Sequence, residues 1–85
     1  MSSKDRPVRD FKLGRIRASI WANKSDGKGV WYSVTVSRAY RDGDAWQETT
    51  SFSRDDLPLV SKAAELAYAW IWETSSREQR VHGQS

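Results

Sequence analysis

Apolar and polar positions alternate along residues 11–21, but the phase changes at Gly14. Phe11 and Leu13 occupy odd positions, whereas Ile16, Ala18 and Ile20 occupy even ones. A slip of one residue exchanges the two faces of a strand, so the shift predicts one strand bent or bulged at Gly14. Residues 23–29 are a turn cluster in which Asp26-Gly27 suits the positive φ of a hairpin. A second strand follows over residues 30–40, with Tyr32, Val34 and Val36 on its apolar face and Trp31, Ser33, Thr35 and Ser37 opposite. Arg41-Asp42-Gly43-Asp44 is a further turn. The third strand, residues 45–53, is rich in threonine. Its Trp46 and Phe52 are assigned to the core side, with Gln47, Thr49 and Ser51 on the other.

Ser53-Arg54-Asp55-Asp56 fits a helix start, with acids at the positive end of the dipole. Pro58 sits poorly inside a helix capped at Ser53, so a separate turn is expected there, and the main helix begins at Pro58 and runs to about Glu73. At 100° per residue its apolar side chains cover roughly 200°, about twice the stripe that packing on one sheet requires. A second copy of the helix is the simplest cover for the surplus, which predicts a homodimer through Leu59, Ala63, Leu66, Ala67 and Trp70. The fold class is therefore α+β: an antiparallel β-meander of three to four strands, then one C-terminal helix on one face. Residues 1–10 read as a disordered basic arm, residues 11–73 as the single domain, and residues 74–85 as a disordered polar tail.

Composition narrows this picture. With 85 residues there is room for one small domain, yet it carries five tryptophans. The absence of cysteine excludes disulfides, thiolate zinc sites and thiol nucleophiles. Apolar runs fall far short of the ~20 residues that span a bilayer, and no leader pattern opens the chain, so a cytoplasmic location is expected. Net charge is +3, but residues 1–41 hold ten basic against three acidic side chains and the remainder the reverse tendency. That asymmetry favours an anionic partner for one face.

If the apolar rows face the helix, the opposite sheet face collects Arg15, Arg17, Ser19, Trp21, Trp31, Ser33, Thr35 and Ser37. Guanidinium groups for phosphates, flat rings for bases and hydroxyls for backbone oxygens together suit single-stranded nucleic acid. The candidate contacts are Lys12, Arg15, Arg17, Trp21, Lys28, Trp31, Arg38 and Arg41, with Lys24 extending the basic rim. The alternative is a protein–protein or oligomerisation module anchored by the same Trp21 and Trp31, since Trp and Arg are typical hot-spot residues.

Several segments resemble the transcriptional positive-coactivator family and the related Pur-alpha and Whirly proteins. They are Phe11-Lys12-Leu13-Gly14-Arg15 with the strand after it, the strand over residues 31–40 leading into Asp42-Gly43, and Ser51-Phe52-Ser53 running into Asp55-Asp56-Leu57. The chain is also similar to small uncharacterised bacterial proteins with an Asp-Leu-Pro helix entry. The coactivator resemblance implies a homodimer that binds single-stranded or unwound DNA on curved sheets, and a role in transcription regulation. It points to Lys12, Arg15 and Arg17 on the first strand and Trp31 on the second.

Catalytic chemistry is poorly supplied. His82 is the only histidine and lies in the polar tail, so no built pocket is expected around it. Ser53, Asp55 and Asp56 are better explained by helix capping. Asp42, Asp44 and Glu48 lack the spacing of a calcium loop, and no phosphate-cradling glycine motif occurs. The expectation is a non-enzyme without cofactor, metal or small-molecule substrate.

Overall fold

In the computed structural model, which describes residues 6–25, 27 and 29–83, a four-stranded antiparallel sheet is followed by one helix. The strands are β1 (Arg9–Leu13), β2 (Ile16–Ser25), β3 (Gly29–Asp42) and β4 (Ala45–Thr49), in the spatial order β1-β2-β3-β4. A 3-10 turn (Arg54–Asp56) leads into α1 (Leu57–Gly83). The expected α+β meander with a C-terminal helix is what forms.

The phase shift at Gly14 has a different cause from a bend. Leu13 pairs with Ile16, so Gly14 and Arg15 are a complete two-residue hairpin loop between two strands. Gly14 has φ 61°, and glycine at the first loop position is the arrangement that matches strand twist. Partners across such a loop differ in parity, which moves the inward positions from odd to even. β3 and β4 repeat the device: Asp42 pairs with Ala45 around Gly43-Asp44, and Gly43 has φ 65°.

The chain departs from expectation at both ends. Arg9 and Asp10 belong to β1, and the Val8 amide donates to the Ile20 carbonyl, so the arm is ordered from there. Residues 1–5 of that arm lie outside the described residues, as do Asp26, Lys28 and residues 84–85. At the other end the helix passes Glu73 and continues to Gly83, the first glycine or proline after Pro58. Residues 74–83 are thus helical rather than a tail.

The core lies between α1 and the β1–β2 hairpin. Ile16, Ala18, Ile20 and Ala63 are fully buried and Ala67 almost so. Phe11, Leu13, Val36, Phe52 and Val60 pack around them. Burying each isoleucine side chain contributes roughly 1.5–3 kcal/mol. Small side chains at Ala63 and Ala67 let the helix approach the sheet closely. These two residues therefore serve the chain's own sheet and are not available as a seam between helices. Trp70, also assigned to that seam, meets Tyr32 edge-to-face at 5.5 Å, and Leu66 is half-buried, while Leu59 keeps 37% exposure beside Gly14. Tyr68 and Trp72 point to solvent and stack on each other at 6.5 Å. Trp72 lies on the side of the helix opposite the sheet-facing stripe.

A polar junction fastens the helix entry to the sheet. Asp56 accepts from the Ser53 amide and hydroxyl, both at 2.9 Å, and pairs with Arg38 on β3 at 3.1 Å. Arg38 also donates to the Ser51 carbonyl. The Ser53 amide bond is the main influence on the Asp56 carboxyl. Together with the Ser53 hydroxyl and the nearby Arg38 and Arg15 charges, it outweighs burial and holds the carboxyl below the ordinary value of 3.8.

Two outcomes follow. Ala63→Leu overpacks the helix seat and costs about 1–3 kcal/mol of stability, measured by urea denaturation; an unchanged midpoint would place Ala63 elsewhere. Asp56 binds protons more readily unfolded than folded, so its stabilisation is complete above about pH 4 and fades as pH falls through the lowered folded value. Asp56→Asn therefore flattens the acid limb of a thermal-stability profile.

Candidate nucleic-acid interface

Pairing fixes which side chains share the open face. Lys12 lies opposite Arg17, which lies opposite Ser37. Asp10 pairs with Ser19 and Ser19 with Thr35; Trp21 pairs with Ser33 and Asn23 with Trp31. Toward the other end Ala39 pairs with Glu48 and Arg41 with Trp46. Opposite partners point to the same side, so Trp21, Trp31 and Trp46 share the face that α1 does not cover.

Trp46 is the main correction to the sequence reading. It is 63% exposed and outward, not part of the core, and the Arg41 guanidinium lies 5.4 Å from its ring centre. Gln47 and Thr49 are on the helix side instead, because the two-residue loop at Gly43 inverts the parity of β4. That loop was visible as Asp42-Gly43-Asp44, and its parity rule would have exposed Trp46 and Glu48.

The predicted contacts separate into several groups. Lys12, Trp31 and Arg41 are exposed on the open face, and Arg15 is exposed in the hairpin loop at its rim. Lys12 and Arg15 line, with Gly14, Ala39, Trp46, Gln47 and Glu48, a shallow depression of about 410 Å³. Trp21 is half-buried, and its Nε1–H donates to Thr35 Oγ1 at 3.0 Å, which fixes the ring's tilt. Asn23 Nδ2 donates to Ser33 Oγ nearby. Arg38 lies on the helix side, engaged by Asp56, and is not part of the face. Lys28 lies outside the described residues.

Arg17 is on the face but compensated. Its guanidinium meets Asp10 at 3.1 Å and Glu48 at 3.3 Å, bridging β1 and β4 across the sheet. Ser19 Oγ donates to the other Asp10 oxygen at 2.7 Å. Burial opposes ionisation of Asp10, yet the Ser19 hydroxyl and the Arg17 guanidinium together hold its carboxyl below the usual carboxylate range. The Asp10 hydrogen bond in turn raises the Arg17 value. Asp10 was not singled out in the sequence, and Glu48 only in a rejected cation cluster, because sequence distance hides a contact that reaches across the whole four-stranded sheet.

No protein-family model matches the chain, and neither the curated proteins nor the solved structures contain a match to it. Among the described residues no cluster of three or more His, Cys, Asp or Glu suits a metal ion, and no helix is long and apolar enough to cross a membrane.

Outward placement has a direct check. Trp46→Ala changes folding stability by no more than about 0.5 kcal/mol, as for other exposed sites, whereas Trp70→Ala, which removes the ring packed on Tyr32, costs clearly more. Equal losses in denaturation curves would return Trp46 to the core.

Proposed function

We propose that the open sheet face binds single-stranded nucleic acid, DNA or RNA, with little sequence specificity. The observation that carries this is the Trp46 ring, exposed beside Arg41 at the edge of a depression that Lys12 and Arg15 also line. A flat ring offers a base a stacking surface worth about 1–3 kcal/mol, and the adjacent cations suit the flanking phosphates. Trp31 provides a second ring on the same face. It lies ten residues along β3 from Arg41, the partner of Trp46, or about 33 Å. Between the rings run the hydroxyls of Ser33, Thr35 and Ser37, acceptors and donors for sugar and phosphate oxygens. The coactivator-like role in transcription belongs to the same proposal.

One observation favours the protein–protein alternative. Arg17 is already neutralised by Asp10 and Glu48, which lowers the positive potential of the middle of the face. Salt separates the readings. Phosphate binding weakens in proportion to the charges neutralised, whereas an aromatic-anchored protein contact barely responds.

Tryptophan fluorescence titrated with an oligonucleotide of about 16 nucleotides, between about 50 and 200 mM salt, tests the proposal. Quenching that falls steeply with salt is expected, with weaker binding of duplex. Trp46→Ala removes about 1–3 kcal/mol, and Lys12→Ala or Arg41→Ala each lowers the salt slope by about one. Asp10→Asn leaves Arg17 with Glu48 as its one remaining carboxylate partner and tightens binding. Quenching indifferent to salt, or none, would end the nucleic-acid reading. Charge reversal at Arg17 is a poor test, because it sets a third carboxylate beside Asp10 and Glu48.

A further inference from the structure

β3 is 14 residues long, but its two neighbours cover it unequally. β2 pairs with residues 29–38 along one side, and β4 pairs with residues 38–42 along the other. On the β4 side, residues 30–36 have no strand beside them among the described residues. Such an edge presents backbone donors and acceptors whose natural partner is another strand. The other edges carry protection. β1 is short and bears Arg9, Asp10 and Lys12, and β4 is short and bears Glu48. The open side of β2 beyond the end of β1 carries Lys24. Residues 30–36 of β3, Val-Trp-Tyr-Ser-Val-Thr-Val, contain no charge and no proline.

We infer that this edge pairs with the same edge of a second copy of the chain, giving a homodimer with a continuous sheet. An antiparallel strand meeting its own copy is self-complementary, as two-fold symmetry requires. β4 also restricts the register. It fills the edge from Arg38 onward, so the second copy has to end its ladder before that point. Use of all seven residues then puts the two-fold axis at Ser33, with Val30 opposite Val36, Trp31 opposite Thr35, and Tyr32 opposite Val34 of the second copy. Val30 and Val34 lie on the helix side yet remain 41% and 37% exposed, because α1 packs mainly over β1 and β2. Pairing brings these valines against apolar partners. At each end of the ladder Gly29 adds no side chain, and beside it Ser37, Glu48, Thr49 and Thr50 line an open depression of about 460 Å³. Residues 30–36 themselves bring no like charges together when two copies pair. This interface replaces the helix seam, whose Ala63 and Ala67 are buried against their own sheet. It does not depend on what the open face binds.

The chain has no cysteine, so Ser33→Cys places a single thiol on the proposed axis. Paired strands bring such Cα atoms within disulfide range. Mild oxidation should convert Ser33→Cys to a covalent dimer at least tenfold faster than Ser61→Cys on the solvent side of α1. Sedimentation of the unmodified chain should give twice its 9.8 kDa mass. Val34→Lys should raise the dimer dissociation constant at least tenfold with an unchanged circular dichroism spectrum, while Trp72→Glu leaves it unaltered. A single-chain mass at all concentrations, slow cross-linking at Ser33, or dissociation by Trp72→Glu instead of Val34→Lys would each overturn the assignment. If Val34→Lys does not fold, the Ser33→Cys rate and the mass decide alone.

Discussion

A two-residue hairpin loop obliges residues paired across it to have opposite parity, and this chain applies that constraint twice. At Gly14 it lets β1 bury Phe11 and Leu13 at odd positions while β2 buries Ile16, Ala18 and Ile20 at even ones. At Gly43 it sends Trp46 and Glu48 of β4 to the face that holds Trp21, Trp31, Arg17 and Arg41 of β2 and β3. Both loops depend on a backbone conformation that L side chains rarely adopt, which only glycine meets without strain. The composition of the core and that of the open face follow from the same local geometry.

Electrostatics distributes the arginines between the two faces. Arg38 closes the helix entry through Asp56, and Arg17 ties β1 to β4 through Asp10 and Glu48. Both spend their charge within the chain. Arg41 lies over an exposed ring, and Lys12 and Arg15 border the same depression. The cationic character of the open face is therefore concentrated near Trp46, where formal counting along the sequence spread it over the whole first half of the chain.

Much of the architecture was legible in the sequence. Alternation located β3 to within two residues at each end and β2 as far as Trp21, although Asn23, Lys24 and Ser25, read as turn, prolong β2; the Ser-x-x-Asp turn before Pro58 placed the helix entry. Two features were obscured by physical ambiguity. A parity shift at a glycine is produced equally by a bulge and by a tight hairpin, and only the second reading predicts four separate strands. A broad apolar arc on a helix likewise does not say which part meets the sheet. Ala63 and Ala67 read as surfaces for another helix, but small residues serve a close sheet contact equally well. The charge bridge from Asp10 to Glu48 was not legible, since it depends on the register of all four strands together.

Every strand of this sheet pairs with its neighbour in sequence. The ladders can therefore form by successive local closures, each with a small loss of chain entropy. Docking of α1 back onto β1 and β2 joins segments farther apart along the chain than any of the strand pairings. Topologies dominated by such local pairings fold rapidly for their size. The closure by α1 carries the largest loop-entropy cost of the fold, and the Arg38–Asp56 pair, formed at the helix entry, shortens the loop that it has to span.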